Sequence, residues 1–398
     1  MPSSRRGNNE GSIYKRANGS WAGQVTIGYD PSTGKPKRKS VYGKTRQEVN
    51  AKIAKTLQEI KSGSYIGPTT ITLGEWLTKW LTTYKKAQLK PLTYESYESL
   101  INSQINPEIG KVPLAKLQAH MLQSFYNAKL ANGRKDGKGG LSTRTVRYFH
   151  AIIREALEQA TKEGLLSRNA ADATTPPVIK SKQTQPLTES ELLKFLEAVK
   201  EDRLYAAYVT AAFTGVRRGE LLGLCWDCVD LESGSITIKR SLIPLASGLH
   251  LQESTKTKGG KRNIALTDDN LQALKAHKRR QAQDKLLMGK DYQNFNLCFC
   301  KEDGTHINPD KFTIDFKKRL AENGLPQVRL HDLRHGHATL LLQRGIPAKL
   351  VQERLGHSSI QMTLDLYSHV TPEMSKAASE SLNGLLSKEK PPANAQGE

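Results

Sequence analysis

Residues 329–369 read RLHDLRHGHATLLLQRGIPAKLVQERLGHSSIQMTLDLYSH. This stretch holds five of the ten histidines (His331, His335, His337, His357 and His369) of a 398-residue chain, together with Arg334 and Tyr367. Its polar residues are set between apolar runs with helical spacing. His331 and Arg334 stand three apart, which places both on one helical face. Packing alone does not call for such crowding of cations and imidazoles around a late tyrosine, although a lone tyrosine in a run such as LDLY is ordinarily core. The set suits a phosphodiester: guanidinium forks hold non-bridging oxygens bidentately and need no metal. In that reading Tyr367 is the nucleophile.

Two further segments supply partners. In TGVRRGELLGL (214–224), Gly215 ends one helix and the next begins at Arg217-Arg218-Gly219-Glu220. In LGHSS, His357 precedes Tyr367 by ten residues. A metal site competes for the same stretch, because His331 and His335 are spaced i, i+4 as in H-E-x-x-H zinc sites. The second position is Asp332, however, and Arg334 repels a cation, so neither metal nor cofactor is expected. His335 then supports or packs, and His337 and His369 are structural. Cys225, Cys228, Cys298 and Cys300 could in principle form a four-thiol zinc site, but core thiols are the preferred reading. Asp268-Asp269 reads as a helix N-terminus complementing the dipole, not as a two-metal centre.

Composition agrees with a polyanion partner. Sixty Lys and Arg against 39 Asp and Glu give a formal net charge of +21, and hydrophobic residues make up 37%. That excess points to nucleic acid. No apolar run approaches the roughly 18 residues of a membrane span, and no secretory leader is visible. Four cysteines in a chain this long do not make a disulfide framework. The expected location is the cytoplasm, with no membrane partner.

Outward from the opening stretch, the chain divides into pieces. Residues 1–66 carry thirteen Lys/Arg against four Asp/Glu. They read as three strands (Ser12–Arg16, Trp21–Tyr29 and Lys35–Tyr42) with an Asn18-Gly19 hairpin turn. A helix capped by Thr45 and Glu48 follows. A β-ribbon of this size fits the DNA major groove. Residues 72–175 are helical throughout, opened by Thr72 and Glu75. Residues 176–186, Pro-rich and basic, are a linker that would let flanking domains close around DNA as a clamp. Residues 187–388 mix helices, the first capped by Thr188 and Glu191, with a short β region at Ser235–Arg240 and Lys261–Leu266. A helix starting near Thr371-Pro372-Glu373 follows the tyrosine, and 389–398 is a disordered tail. The fold class is multidomain and mainly α: a small three-stranded sheet plus helix, an all-α domain, and an α+β domain with a small sheet.

HxxR, LGH and a following tyrosine, preceded about a hundred residues earlier by TGxRxxE, resemble the tyrosine recombinase (phage integrase) family. The first 66 residues are similar to the arm-site-binding module of integrases from phages and conjugative transposons, and 72–175 to the core-site-binding domain. The resemblance implies that Tyr367 attacks the scissile phosphate to form a 3′-phosphotyrosine and free a 5′-hydroxyl, without metal or ATP. It implies that Arg217 and Arg334 stabilise charge on the non-bridging oxygens. His331 would then handle a proton near the tyrosine, His357 would be a further phosphate donor, and Glu220 would orient Arg217. A hairpin lysine should protonate the leaving oxygen. In ESTKTKGGKRNIAL, Lys256 fits best, with Lys258 an alternative and Lys261 a weaker one.

The implied partners are double-stranded DNA at core and arm sites, three further copies in a homo-tetramer, an excisionase and a host DNA-bending protein. The implied activity is site-specific integration and excision of a mobile element. A non-catalytic DNA-binding protein of the same fold and a type IB topoisomerase are the competing readings. The complete set Arg217, His331, Arg334, His357, Tyr367 argues against the first, and the added N-terminal module against the second.

Overall fold

The hairpin at Asn18-Gly19 shows how local chemistry starts the fold. Gly19 takes φ +81°, and the Asn18 carboxamide oxygen accepts the Ser20 N–H at 3.2 Å. In this computed structural model the described residues are 12–29, 33–61, 70–179, 185–253, 261–365 and 380. The chain divides into two compact units, Met1–Ser181 and Lys182–Glu398.

In the first unit, β1 (Ser12–Lys15), β2 (Trp21–Tyr29) and β3 (Pro36–Gly43) form an antiparallel sheet in sequence order. Helix α1 (Arg46–Lys61) packs Val49 and Ile53 against Val41, with Ile13, Trp21 and Leu57 at the margin. Gly23 lies directly under this helix: a Cβ there would come within 2.6 Å of Ile53 Cδ1 and 2.8 Å of Val49 Cγ1. The cap of α1 differs slightly from expectation. Thr45 Oγ1 accepts the Glu48 N–H, but Glu48 reaches back to the N–H of Lys44.

A second core in the same unit is wholly helical. It is built from α2 (Leu73–Trp80, running on as a π turn over Leu81–Lys85), α3 (Pro91–Leu100, with a π turn over Ile101–Ile105), the short α4 (Asn106–Ile109), α5 (Ala119–Asn132) and α6 (Thr143–Lys162). The Thr72–Glu75 capping box starts α2 in the reciprocal geometry its sequence calls for. Helix α6 buries Val146, Phe149, Ile152, Ile153, Ala156, Leu157 and Ala160, a stripe at 3–4 spacing. Trp76 is fully buried in this core and donates its indole N–H to the Ala156 carbonyl at 2.7 Å.

The second unit begins with α7 (Glu189–Ala198), opened by the Thr188–Glu191 capping box. Its core surrounds α8 (Tyr205–Thr214), of whose ten residues eight are buried, so nearly every side of this helix faces protein. The ring of Tyr208 on this helix packs against those of Phe195, Phe312 and Phe316. After α9 (Arg218–Leu222) come β4 (Val229–Asp230) and β5 (Ser235–Ile238), then the hairpin β6 (Arg240–Leu245) and β7 (Gly248–Glu253), then β8 (Arg262–Ala265). β4, β5 and β8 make one sheet in that order, and β6–β7 is a separate ribbon. The ribbon was not anticipated. Of β6 only Leu242 is buried, so its sequence lacks the in–out alternation that marks a half-buried strand. The remaining helices are α10 (Asp268–Met288), α11 (Pro309–Glu322), α12 (Leu330–Gln343), α13 (Ala348–Leu355) and α14 (Gln361–Leu364). Thr267 caps α10 through the Asn270 N–H, with Asp268 and Asp269 in the first turn.

All four cysteines are buried free thiols. Burial pushes the Cys298 thiol well up, and among the described residues no group of three or more His, Cys, Asp or Glu is arranged to hold a metal ion. No described helix is long and apolar enough to cross a membrane.

Candidate active site

The site is organised by the last turn of α13 and the glycine that ends it. Gly356 caps this helix in the left-handed region at φ +68°. A helix C-terminus leaves its final carbonyls without intrahelical donors, at the negative end of the dipole. Three consecutive carbonyls there each receive an arginine from a different part of the fold. Arg262 Nε donates to Arg354 O at 2.8 Å, Arg334 Nη2 to Leu355 O at 2.8 Å, and Arg217 Nη2 to Gly356 O at 2.8 Å.

Arg217 reaches this point because α8 stops abruptly. Gly215 terminates it with φ +63°, and Arg217 becomes the N-cap of α9. Its backbone N–H donates to Glu220 Oε2 at 2.9 Å and its Nη1 to Glu220 Oε1 at 2.7 Å. Gly215 also permits close packing: a Cβ there would sit 2.5 Å from Leu355 Cδ2 and 2.9 Å from His337 Cδ2. Its carbonyl accepts Arg334 Nη1 at 2.7 Å. The two arginines therefore differ. The Arg217 side chain remains 42% exposed, whereas Arg334 is buried at 3%. Burial, then the charge of Arg217, presses the Arg334 guanidinium down to about 9, which leaves it protonated at neutral pH.

Helix α12 is positioned by an arrangement that parallels α9. Arg329 is its N-cap and Asp332 its third residue. The Arg329 N–H donates to Asp332 Oδ2 at 2.7 Å and its Nη2 to Oδ1 at 2.7 Å. The carboxylate is fully buried, so the first turn, which carries His331, is held firmly. His331 stacks edge-on against His335 with centroids 4.9 Å apart. The residue is exposed, yet desolvation, then the charges of His335 and Arg334, lower its pKa.

His357 follows Gly356 and is buried. Its Nδ1 shares a 2.8 Å hydrogen bond with Thr363 Oγ1 in α14. Desolvation, then Arg334 and Arg217, push its pKa down to about 4, so without a bound anion the ring is neutral at pH 7. His337, also buried, accepts the Nε–H of Arg354 on Nε2 at 3.2 Å. Arg354 in turn donates to Phe213 O at 3.0 Å and Ala265 O at 3.1 Å, tying α13 to α8 and β8.

The fold thus brings Arg217, Arg334 and His357 together at the end of α13, with His331 on the helix that carries Arg334. Tyr367, Lys256, Lys258 and His369 lie outside the described residues, as does the segment from Thr371 apart from Glu380. Lys261 is exposed just before β8. Sequence reasoning missed Arg262, Arg329 and Arg354. For Arg329 a signal existed, since R-x-x-D repeats the R-x-x-E spacing of Arg217 and Glu220.

Comparison with known proteins follows the same lines. Residues 185–374 match the Phage integrase family, and residues 72–130 match the phage integrase N-terminal SAM-like domain. A tyrosine recombinase XerC-like protein of Caldanaerobacter subterraneus subsp. tengcongensis is 31% identical over 380 residues, covering 91% of this chain and 95% of its own. The ICEBs1 integrase of Bacillus subtilis is 28% identical over 385 residues, covering 94% of this chain and all of its own. The Tn1549 transposon integrase, solved in complex with a circular intermediate DNA, shares the fold at a TM-score of 0.66 and 23% identity, over 78% of this chain and 99% of its own. With a relative at this identity covered over nearly its whole length, and with Arg217, Arg334 and His357 of the motifs gathered at one helix end, the chain belongs to the tyrosine recombinase (phage integrase) family.

Proposed function

We propose that this chain is the integrase of a mobile genetic element, cutting and rejoining double-stranded DNA through Tyr367. The observation that carries the reading is the convergence of Arg217 and Arg334, 117 residues apart in sequence, on adjacent carbonyls of α13 beside His357. Both donate to acceptors of the fold before any DNA arrives, and such preorganisation is usually the largest contributor to this kind of catalysis. A scissile phosphate placed there takes guanidinium bonds on its non-bridging oxygens.

The Tyr367 oxygen attacks phosphorus, the P–O5′ bond breaks, and a 3′-phosphotyrosine remains with a free 5′-hydroxyl. The phenolic proton leaves toward His331, whose lowered pKa keeps it neutral and able to accept. Lys256 gives the departing 5′-oxygen its proton, and His357 donates to the phosphate. Attack by a 5′-hydroxyl from the partner duplex reverses the step, so the phosphodiester energy is conserved. The site needs neither metal nor nucleotide.

Residues 1–66 are the arm-site module, 72–175 the core-site domain, 176–186 the linker and 187–388 the catalytic domain. Exchanging two duplexes requires four cleavages, hence four copies on DNA, with an excisionase and a host bending protein setting direction at the nucleoid. A nicked suicide substrate carrying the element's core site tests the reading. Wild type should trap a covalent protein–DNA complex and Tyr367→Phe none. A variant lacking Tyr367 that still forms the complex, or a wild type that binds the site without forming it, overturns the assignment.

A further inference from the structure

Arg262 opens β8, and its side chain is only 7% exposed. Nη1 and Nη2 donate to Glu220 Oε1 and Oε2 at 3.2 and 2.7 Å, and Nε donates to the Arg354 carbonyl at 2.8 Å. All three nitrogens of this guanidinium therefore donate to protein acceptors, and the side chain is turned inward. Glu220 is the same carboxylate that receives the backbone N–H and the guanidinium of Arg217. One buried carboxylate thus stands between two arginines.

The charge count gives this arrangement its meaning. If Glu220 faced Arg217 alone, the two would form a neutral pair whose carboxylate competes with a phosphate for the same N–H groups. Arg262 supplies the second positive charge. Burial by itself would raise the Glu220 carboxyl, yet the hydrogen bond and charge of Arg262, with those of Arg217, bring it down to about 2. Three guanidiniums (Arg217, Arg262, Arg334) and one carboxylate leave the site with two net positive charges. Attack of a phenolate on a phosphodiester raises the charge at phosphorus from one toward two, so the surplus matches the transition state.

We infer that Arg262 is a positioning residue: by occupying Glu220 and pinning the last turn of α13, it keeps the Arg217 guanidinium available to the scissile phosphate. The inference rests on the assignment of Arg217 to that phosphate. It makes Arg262 act through Glu220 and not by touching substrate.

The experiment compares covalent-complex formation on two suicide substrates, one with the ordinary scissile phosphate and one with a methylphosphonate, which lacks the non-bridging charge that Arg217 meets. Arg262→Gln should lower trapping about tenfold or more on phosphate and less than about threefold on methylphosphonate. Adding Glu220→Gln should recover part of the loss, because the competing carboxylate is gone. Arg262→Lys, which keeps the charge but not the fork, should fall between wild type and Arg262→Gln with the same substrate dependence. Thermal melting and core-site binding, measured alongside, identify a misfolded variant, and Arg262→Lys then carries the test. An equal loss on both substrates, no loss at all, or no recovery with Glu220→Gln overturns the inference. A wild type that traps neither substrate instead overturns the catalytic assignment on which it rests.

Discussion

Arg334 donates to the carbonyl oxygen of Leu355 at 2.8 Å, joining the HxxR helix to the end of the helix that leads into LGH. The contact satisfies an orphan helix-terminal carbonyl with a charged donor, and its partner bond to Gly215 O ties in the end of α8. One buried side chain therefore fixes the three segments that carry the site. Arg334→Ala should cost about 2–4 kcal/mol of stability, through two unpartnered carbonyls and a cavity. It should lower trapping on a suicide substrate by about 10³-fold. Arg334→Lys should recover most of the stability in denaturant unfolding but little of the trapping, since an ammonium lacks the fork.

Gly215 is the hinge of this arrangement. Its φ of +63° disfavours any side chain, and a Cβ would press on Leu355 and His337. Gly215→Ala should destabilise the second unit by about 2–3 kcal/mol. Core-site binding, measured by titration, should change far less than trapping, because the displaced groups are Arg217 and α13.

Thr363 is fully buried and gives His357 its hydrogen-bond partner. Thr363→Val keeps the shape and removes the oxygen, leaving His357 Nδ1 unpaired at a cost of about 1–2 kcal/mol. The ring then loses its orientation toward the phosphate. Trapping should drop about tenfold with binding intact, and Thr363→Ser should restore it. Equal trapping by all three proteins would remove His357 from the mechanism.

Acid should weaken the second unit through His337. Burial, then the charge of Arg354, lowers its pKa from an ordinary 6.5 to about 3, and its Nε2 is an acceptor, which requires the neutral ring. Folding selects the unprotonated form. The stabilisation is therefore complete above about pH 6.5 and declines as the pH falls toward 3, by roughly 1.4 kcal/mol per unit from this group. Unfolding free energies of wild type and His337→Gln, followed from pH 7 to 4, should converge as the pH drops. Parallel curves would show that this imidazole is not the titrating group.

Much of the fold is local chemistry and was legible as such. The boxes at Thr72–Glu75 and Thr188–Glu191, the Asn18-Gly19 turn and the stripe on α6 each depend on residues within a turn or two of one another. So does the stop at Gly215. The β6–β7 ribbon was illegible because β6 buries only Leu242, so burial imposes no period of two on that strand. Family resemblance named Arg217, His331, Arg334 and His357, and the fold places the two arginines and His357 at one helix end.

What the sequence determined by itself, then, is which residue types were available for a phosphodiester, on which helices, and next to which caps. Spacing of three or four residues is enough for that, because a helix converts such spacing directly into a shared face. Only the tertiary structure decided that Arg262, Arg334 and Arg217 meet three successive carbonyls of α13, and that Glu220 is shared across 42 residues of sequence. Those pairings follow from how α8, α9, β8, α12 and α13 pack against one another, with Val351 and Leu355 of α13 in a small core of their own with Ala338 and Leu342 of α12. Packing brings distant residues together through burial of their neighbours, and no local pattern records it.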